Sequence, residues 1–117
     1  QLDREAQAKY RAQSLLTDLL SVLDNFERAL SVEATTEEAQ NMKKGIDMVY
    51  RALVEATEKE GLTIIATEGA PFDPNVHQAV MQESDPEQQS GIVLQELQRG
   101  YQLKDRVLRP AMVKVNE

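Results

Sequence analysis

The residues of this chain that could take part in catalysis lie around its single histidine, His77. Asp73 precedes it, and Ser84 and Ser90 follow it, so an acid–base hydrolase centred on Asp73 and His77 is one hypothesis. A catalytic triad needs its nucleophile on a strained turn within hydrogen-bond reach of the base, and no motif here indicates such a turn. We therefore interpret His77 as structural, with its side chain holding the loop at residues 71–75.

Metal and cofactor sites are not indicated either. A lone histidine in a chain without cysteine is a poor zinc site, and the absence of cysteine also excludes disulfides and a thiolate nucleophile. Glu37 and Glu38 are paired acids, but they lie at a predicted helix start, where the helix dipole favours negative charge. No phosphate-binding loop and no dinucleotide fingerprint is present. The sequence thus predicts no enzyme activity, no cofactor, no metal and no small-molecule substrate.

Charge is distributed unevenly, and the segment at residues 99–114 is basic within an acidic chain. The net charge is −7 and the sequence pI is near 4.7. Residues 62–98 contain six acids and no Lys or Arg. The basic residues that follow, opposed only by Asp105, are Arg99, Lys104, Arg106, Arg109 and Lys114. This pattern predicts an exposed basic β-element that binds another macromolecule. The low pI of the chain argues against nucleic acid as that partner.

The chain of 117 residues is long enough for a helical part plus a small β-part. No apolar run approaches the length needed to span a membrane, so no membrane association is expected. We expect a cytoplasmic location.

Residues 2–30 show a helical pattern without glycine or proline. Apolar residues recur at alternating spacings of three and four, which is typical of a heptad seam. The seam consists of Leu16, Leu19, Leu23, Phe26 and Leu30. A helix over residues 2–30 is on the order of 45 Å long at ~1.5 Å per residue.

A second helix follows a break at residues 31–36. Thr35 and Glu38 have the spacing of a capping box, and Gly61 is a natural glycine stop after the last turn. Its apolar positions again alternate by three and four, and they are Ala39, Met42, Ile46, Val49, Leu53 and Ala56. Gly45 costs roughly 1 kcal/mol in a helix interior relative to alanine, so we expect a close backbone approach there.

Two helices with broad apolar stripes cannot cover both stripes in a single hairpin. The simplest arrangement that covers them is a two-fold homodimer, in which two hairpins form a four-helix bundle. Residues 1–61 are therefore predicted to be a helical dimerisation region. Its contact residues are predicted to be Leu16, Leu19, Leu23, Phe26, Leu30, Met42, Gly45, Ile46, Val49 and Leu53.

The hydrophobic period changes from helical to strand-like after Gly61. Strands are predicted at residues 62–67, 77–83 and 92–97, and residues 100–115 are predicted to form strands bent at Pro110. Five or so short strands make a small, mostly antiparallel β-domain. The predicted fold class is α+β, an N-terminal helical hairpin in a dimeric four-helix bundle, followed by this β-domain.

Several stretches resemble the GrpE family of nucleotide-exchange co-chaperones. Residues 72–80 read Phe-Asp-Pro-Asn-Val-His-Gln-Ala-Val, residues 100–101 read Gly-Tyr, and residues 108–115 read Leu-Arg-Pro-Ala-Met-Val-Lys-Val. In the first helix, residues 23–30 read Leu-Asp-Asn-Phe-Glu-Arg-Ala-Leu. The likeness runs in order from about residue 15 to residue 115, which is nearly the whole chain.

This resemblance implies a parallel, elongated homodimer that carries one small β-domain on each subunit. One β-domain enters the nucleotide-binding cleft of a DnaK-type chaperone and holds it open, so that ADP leaves and ATP enters. Residues 62–117 would be that domain. Family members carry a longer N-terminal helix and a polar tail, so an upstream part is expected to be missing from a sequence that starts at Gln1.

The partner-binding residues implied by the resemblance are Arg28, Val32, Phe72, Pro74, Leu97, Arg106 and Val115. Arg28 and Val32 are expected where the first helix meets the β-domain. For each apolar residue the alternative is burial in the β-core, and for Arg106 it is a solvated guard of a strand edge. The residues assigned to the fold itself are Gly100, Tyr101, Ala111 and Val113. A second functional hypothesis stays open, a dimeric scaffold that presents the β-domain to another protein.

Overall fold

The computed structural model describes Gln7 and residues 10–117. The chain divides into two compact units, with the boundary between Gly61 and Leu62. The first contains helices α1 (Gln13–Ser31) and α2 (Glu37–Lys59), and the second contains six strands. This order confirms the α+β class, a helical hairpin followed by a small β-domain. No helix in the described part of the chain has the length and apolar composition to cross a membrane.

The helix predicted over residues 2–30 is interrupted by a turn, since Gln7 and Tyr10 are helical and α1 begins only at Gln13. Residues 2–6, 8 and 9 lie outside the described residues, and Arg11 and Ala12 form a turn before α1 starts. The prediction of one uninterrupted helix over residues 2–30 is therefore wrong at this turn. Ala12 has non-helical dihedral angles and no side chain that can cap, although its carbonyl accepts a hydrogen bond from the N–H of Leu16 at 2.8 Å. A helix that starts at Gln13 is about 28 Å long.

The ends of α2 are fixed by Thr36 and Gly61. The Oγ1 of Thr36 accepts a hydrogen bond from the N–H of Ala39 at 3.1 Å, so the predicted cap at Thr35 is one residue too early. Thr35 and Thr36 both have a hydroxyl that can cap a helix. Thr36 is the residue that does so, with the extended backbone that is typical of an N-cap. Gly61 has φ +102°, which confirms the predicted glycine stop.

The second unit consists of two three-stranded sheets. Strands β1 (Leu62–Ile64), β4 (Tyr101–Leu103) and β5 (Arg106–Arg109) are antiparallel in the order β1-β4-β5. Strands β2 (His77–Glu83), β3 (Val93–Gln98) and β6 (Ala111–Asn116) have the order β2-β6-β3. The central β6 is antiparallel to β3 and parallel to β2. The prediction of mostly antiparallel strands is confirmed, with β2 and β6 as the exception.

The core of this unit lies against β6. It contains Ile65, Val93, Ala111, Val113 and Val115, with Phe72, Val76 and Val107 packed on it. Pro110 joins β5 to β6, so the chain changes sheets at one residue, as the predicted bend requires. A Cβ at Gly100 would overlap the backbone nitrogen of Ala111, so only glycine fits where these two backbones approach.

Candidate functional site

The helical hairpin carries two adjacent apolar seams, and the described residues cover only one of them. The covered seam on α1 is Leu16, Leu20 and Leu23, each no more than 3% exposed, and on α2 it ends at the buried Thr57. The second seam, called the outer seam, lies next to the covered seam on each helix, and its residues again recur at spacings of three and four. Its members are Leu15, Leu19, Val22 and Phe26 on α1 and Met42, Gly45, Val49, Ala52 and Ala56 on α2.

The outer seam is largely open to solvent within one chain. Leu15 is 62% exposed and Met42 is 69% exposed, and every outer-seam residue of α2 is exposed. The rings of Phe26 and Tyr50 lie 6.0 Å apart, and the hydroxyl of Tyr50 donates to Oε1 of Glu27 at 3.1 Å. These contacts join α1 to α2, while the open seam beside them leaves an apolar face without a cover.

The predicted dimerisation residues are divided between the two seams. Leu16 and Leu23 are buried in the covered seam, and Leu19, Phe26, Leu30, Ile46 and Leu53 are half-buried. Met42, Gly45 and Val49 are exposed. Among the described residues nothing lies within 4 Å of a Cβ built at Gly45, so the expected close backbone approach does not occur between α1 and α2. A contact at Gly45 with a second chain stays a prediction.

His77, the first residue of β2, holds the loop at residues 71–76 that precedes it. Its side chain is 5% exposed, and its ring lies 5.8 Å from the ring of Phe72. Both ring nitrogens have backbone partners, with Nδ1 3.0 Å from the nitrogen of Asp73 and Nε2 2.7 Å from the oxygen of Ala66. The prediction that His77 ties down this loop is confirmed. A ring with both nitrogens engaged this way is not placed to act as a general base.

The predicted partner-binding residues of the second unit lie on different elements. Phe72 packs half-buried on the core and Pro74 is exposed on the same loop. Leu97 is exposed on β3, where the register with β6 shifts. Arg106 is exposed at the start of β5, in the other sheet, whereas Val115 is only 9% exposed and belongs to the core.

Arg28 and Val32 belong to the first unit, and both are exposed. The guanidinium of Arg28 donates from Nη1 to Oδ1 of Asn25 at 3.0 Å. Val32 is the C-cap of α1, and its carbonyl accepts a hydrogen bond from Nζ of Lys43 at 3.1 Å. Their expected position beside the β-domain stays a prediction.

The basic segment is less exposed than predicted. Arg109 donates from Nε and Nη2 to the carbonyl of Arg99 at 3.0 and 2.6 Å, and its guanidinium lies 5.5 Å from the ring centroid of Tyr101. Arg99 pairs with Glu96 at 3.2 Å and Lys114 lies 3.7 Å from Glu83. The prediction of an exposed basic β-element is wrong for β6, since its residues Ala111, Val113 and Val115 belong to the core and Lys114 is half-buried. Within this segment the exposed positive charges are Lys104, in the two-residue turn between β4 and β5, and Arg106, directly after that turn.

Asn116 organises the polar loop at residues 85–91, and the sequence interpretation did not identify it. Its Oδ1 accepts from the N–H of Asp85 at 2.7 Å. Its Nδ2 donates to the carbonyls of Asp85, Gln88 and Gln89 at 2.9 to 3.1 Å. The available signal was an asparagine directly after alternating apolar residues of a strand, where asparagine is disfavoured.

Within the described residues no cluster of three or more His, Asp or Glu side chains could hold a metal ion.

The sequence model of one protein family, described as GrpE, matches residues 1–117. A protein from Lysinibacillus sphaericus named "Protein GrpE" is 69% identical over 117 residues, which is all of this chain and 59% of that protein. Proteins of the same name from Bacillus cereus (strain AH820) and Bacillus anthracis are 56% identical over the whole chain and 62% of their own length. The chain therefore spans about three fifths of the curated relatives that it matches.

Proposed function

This chain belongs to the GrpE family, and from that premise we propose that it is a nucleotide-exchange factor for a DnaK-type chaperone. The whole-chain match to the family carries this proposal. As a co-chaperone it binds the ATPase domain of the chaperone and opens the cleft, so that ADP leaves. Its location is cytoplasmic, and nucleic acid and membranes are not its partners.

The exchange requires binding and no covalent chemistry in this chain. A protein that binds the open cleft more tightly than the closed cleft shifts the chaperone toward the open state. Nucleotide and exchange factor then weaken each other's binding by the same factor. The backbone hydrogen bonds of His77 support this view, because they leave the one histidine without a catalytic task.

The contact with the ATPase domain is made by accessible residues of the second unit. Pro74, Leu97 and Arg106 are exposed and provide two apolar surfaces and one positive charge. Phe72 acts from the same loop, where it packs on the core and its ring lies 5.8 Å from the ring of His77. Val115 acts through the core that holds β6 in place, since it is almost fully buried.

The outer seam of the hairpin is the dimer contact. Two hairpins that meet through their outer seams bury four rows of apolar residues and make a four-helix bundle. The exposed Leu15, Met42 and Val49 favour this arrangement, because a contiguous apolar face of this kind marks an interaction site. Gly45 and the alanines of α2 allow a close approach of the second chain at this face.

Release of a fluorescent ADP analogue from the ATPase domain of a DnaK-type chaperone tests the function. Stopped-flow traces with increasing amounts of this chain should show a release rate that rises and then saturates. A release rate that stays at its intrinsic value while the two proteins bind would overturn nucleotide exchange. That result would favour the dimeric scaffold that presents its β-domain to another protein.

A further inference from the structure

Strand β2 is an edge strand with little of the usual protection of sheet edges, since only one register shift interrupts its pairing with β6. It has seven residues, and in the described part of the chain β6 is its only neighbour in the sheet. Between His77 and Gln82 it contains no proline and no Lys, Arg, Asp or Glu. Edge strands are normally kept from pairing with other chains by charge, by proline or by shortness.

The other edge strands of the second unit show such protection. β1 has only three residues, β5 begins and ends with arginine, and β3 carries Glu96 and two register shifts. β2 has one shift, between Ala79 and Met81, which leaves Val80 outside the regular pairing with β6. Val80 is 43% exposed and Met81 is 52% exposed. The edge of β2 thus has an exposed apolar centre.

Carboxylates lie at both ends of this apolar centre. At one end the N–H of Asp73 donates to Nδ1 of His77, and its carboxylate accepts a hydrogen bond from the N–H of Asn75 at 2.9 Å. At the other end Glu83 is the last residue of β2, and Asp85 and Glu87 follow it. The N–H of Glu117 donates to the carbonyl of Glu83 at 2.9 Å, which brings a further exposed acidic residue to that end. Lys114 on β6 lies 3.7 Å from Glu83 and offsets one of these charges.

We propose that the edge of β2 binds an extended polypeptide segment with an apolar centre and basic flanks, which adds a strand to the sheet β2-β6-β3. Main-chain hydrogen bonds give such strand addition its affinity, and side-chain contacts give it specificity. Charge complementarity selects the occupant, because its lysines or arginines face the carboxylates at both ends. This binding goes beyond nucleotide exchange and does not depend on it.

A second copy of the chain fits this edge less well. Antiparallel pairing of two β2 strands about Val80 places Glu83 of each copy against the His77 end of the other, where Asp73 lies. Carboxylates then oppose carboxylates at both ends, which is unfavourable.

The test uses two labelled synthetic peptides with the same centre of alternating valine and threonine. One is flanked by lysine pairs and the other by glutamate pairs. Fluorescence anisotropy with the whole chain should show binding of the lysine peptide, weaker binding at high salt, and no binding of the glutamate peptide. Hydrogen exchange of the amides at residues 78–82 should slow when the lysine peptide binds.

Substitutions locate the site. Val80→Lys and Met81→Lys should each weaken binding of the lysine peptide by about tenfold or more, because they add like charge at the edge. The matched control is Ile64→Lys on β1, an exposed apolar residue on another edge strand, which should leave peptide affinity unchanged. ADP release should be unaltered in Val80→Lys, which also shows that this variant is folded.

Equal affinity for the two peptides, unchanged affinity in both β2 variants, or unprotected amides at residues 78–82 would each overturn the proposal. Association of the chain with itself that Val80→Lys abolishes would assign the edge to a second copy and overturn it as well.

Discussion

His77 and Asp73 are joined by two reciprocal hydrogen bonds. The N–H of Asp73 donates to Nδ1 of His77 at 3.0 Å, and the N–H of His77 donates to the carbonyl of Asp73 at 2.8 Å. Because Nδ1 accepts, the ring proton is on Nε2, which donates it to the carbonyl of Ala66 at 2.7 Å. The imidazole of His77 thus connects the loop that contains Pro74 with Ala66, in the segment after β1.

His77→Ala should destabilise the β-domain by about 1–3 kcal/mol, because the N–H of Asp73 and the carbonyl of Ala66 lose a buried partner. Urea unfolding followed by circular dichroism measures the loss. Gln78→Ala, an exposed change on the same strand, is the control and should have little effect. An unchanged unfolding midpoint in His77→Ala would contradict the structural role of this ring.

Asn116→Ala should destabilise the domain by about 1–3 kcal/mol and loosen the loop at residues 85–91, since one side chain bonds Asp85, Gln88 and Gln89. Hydrogen exchange of the loop amides, together with urea unfolding, checks this expectation. Gln88→Ala removes an exposed side chain from the same loop and is the control. Equal exchange in both variants would show that the loop is held by other contacts.

Gly100→Ala should cost about 1–3 kcal/mol, because the new Cβ overlaps the backbone of Ala111 and the two strands must move apart. The measurement is the free energy of unfolding. A variant as stable as the original protein would mean that the turn at Arg99 and Gly100 relaxes without strain.

Gly45→Asp should weaken dimerisation while the hairpin stays folded. Within Gln7 and residues 10–117 of one chain, nothing lies within 4 Å of a Cβ at Gly45, so the new carboxylate is accommodated there. In the proposed bundle it enters the outer seam, where burying a charge costs several kcal/mol. Sedimentation equilibrium measures the dissociation constant of the dimer. Met48→Asp, an exposed site outside the outer seam, is the control, and equal dissociation constants would exclude Gly45 from the contact.

Arg106→Ala should weaken binding to the ATPase domain about tenfold to a hundredfold, because hydrogen bonds to a charged group contribute ~1.5–3 kcal/mol. ADP release at sub-saturating concentrations measures the effect, at low and high salt. A loss that shrinks with salt indicates a steering charge, and a loss that persists indicates a buried anchor. Lys104→Ala, on the adjacent turn, is the control. Equal release by Arg106→Ala and the original protein would remove Arg106 from the interface.

Local signals in the sequence were sufficient for the order of helices and strands, and for the bounds of some of them. The strand at residues 77–83 and the glycine stop at Gly61 have the predicted bounds, because an apolar period and a left-handed glycine act within a few residues. The parallel pairing of β2 with β6 was not predictable in this way, since it joins strands far apart in the chain.

Burial and charge pairing at the candidate site were harder to predict. Arg109 and Arg106 have the same charge in the sequence, yet Arg109 bonds the carbonyl of Arg99 and Arg106 is exposed. Similarly, Val115 and Leu97 are both apolar strand residues, and only Val115 lies in the core. Which side chains face inward depends on the register of the sheets, and the register is set by contacts between distant residues.

The central position of β6 imposes an order on biosynthesis. Both β2 and β3 pair with this strand, and it is the last of the six to leave the ribosome. The two helices are complete long before then, and their contacts with each other are local in the chain. A nascent chain therefore carries β2 and β3 without their common partner until residues 111–116 have been added. A chain truncated before residue 111 would keep the helical hairpin but would leave β2 and β3 without the strand that joins them.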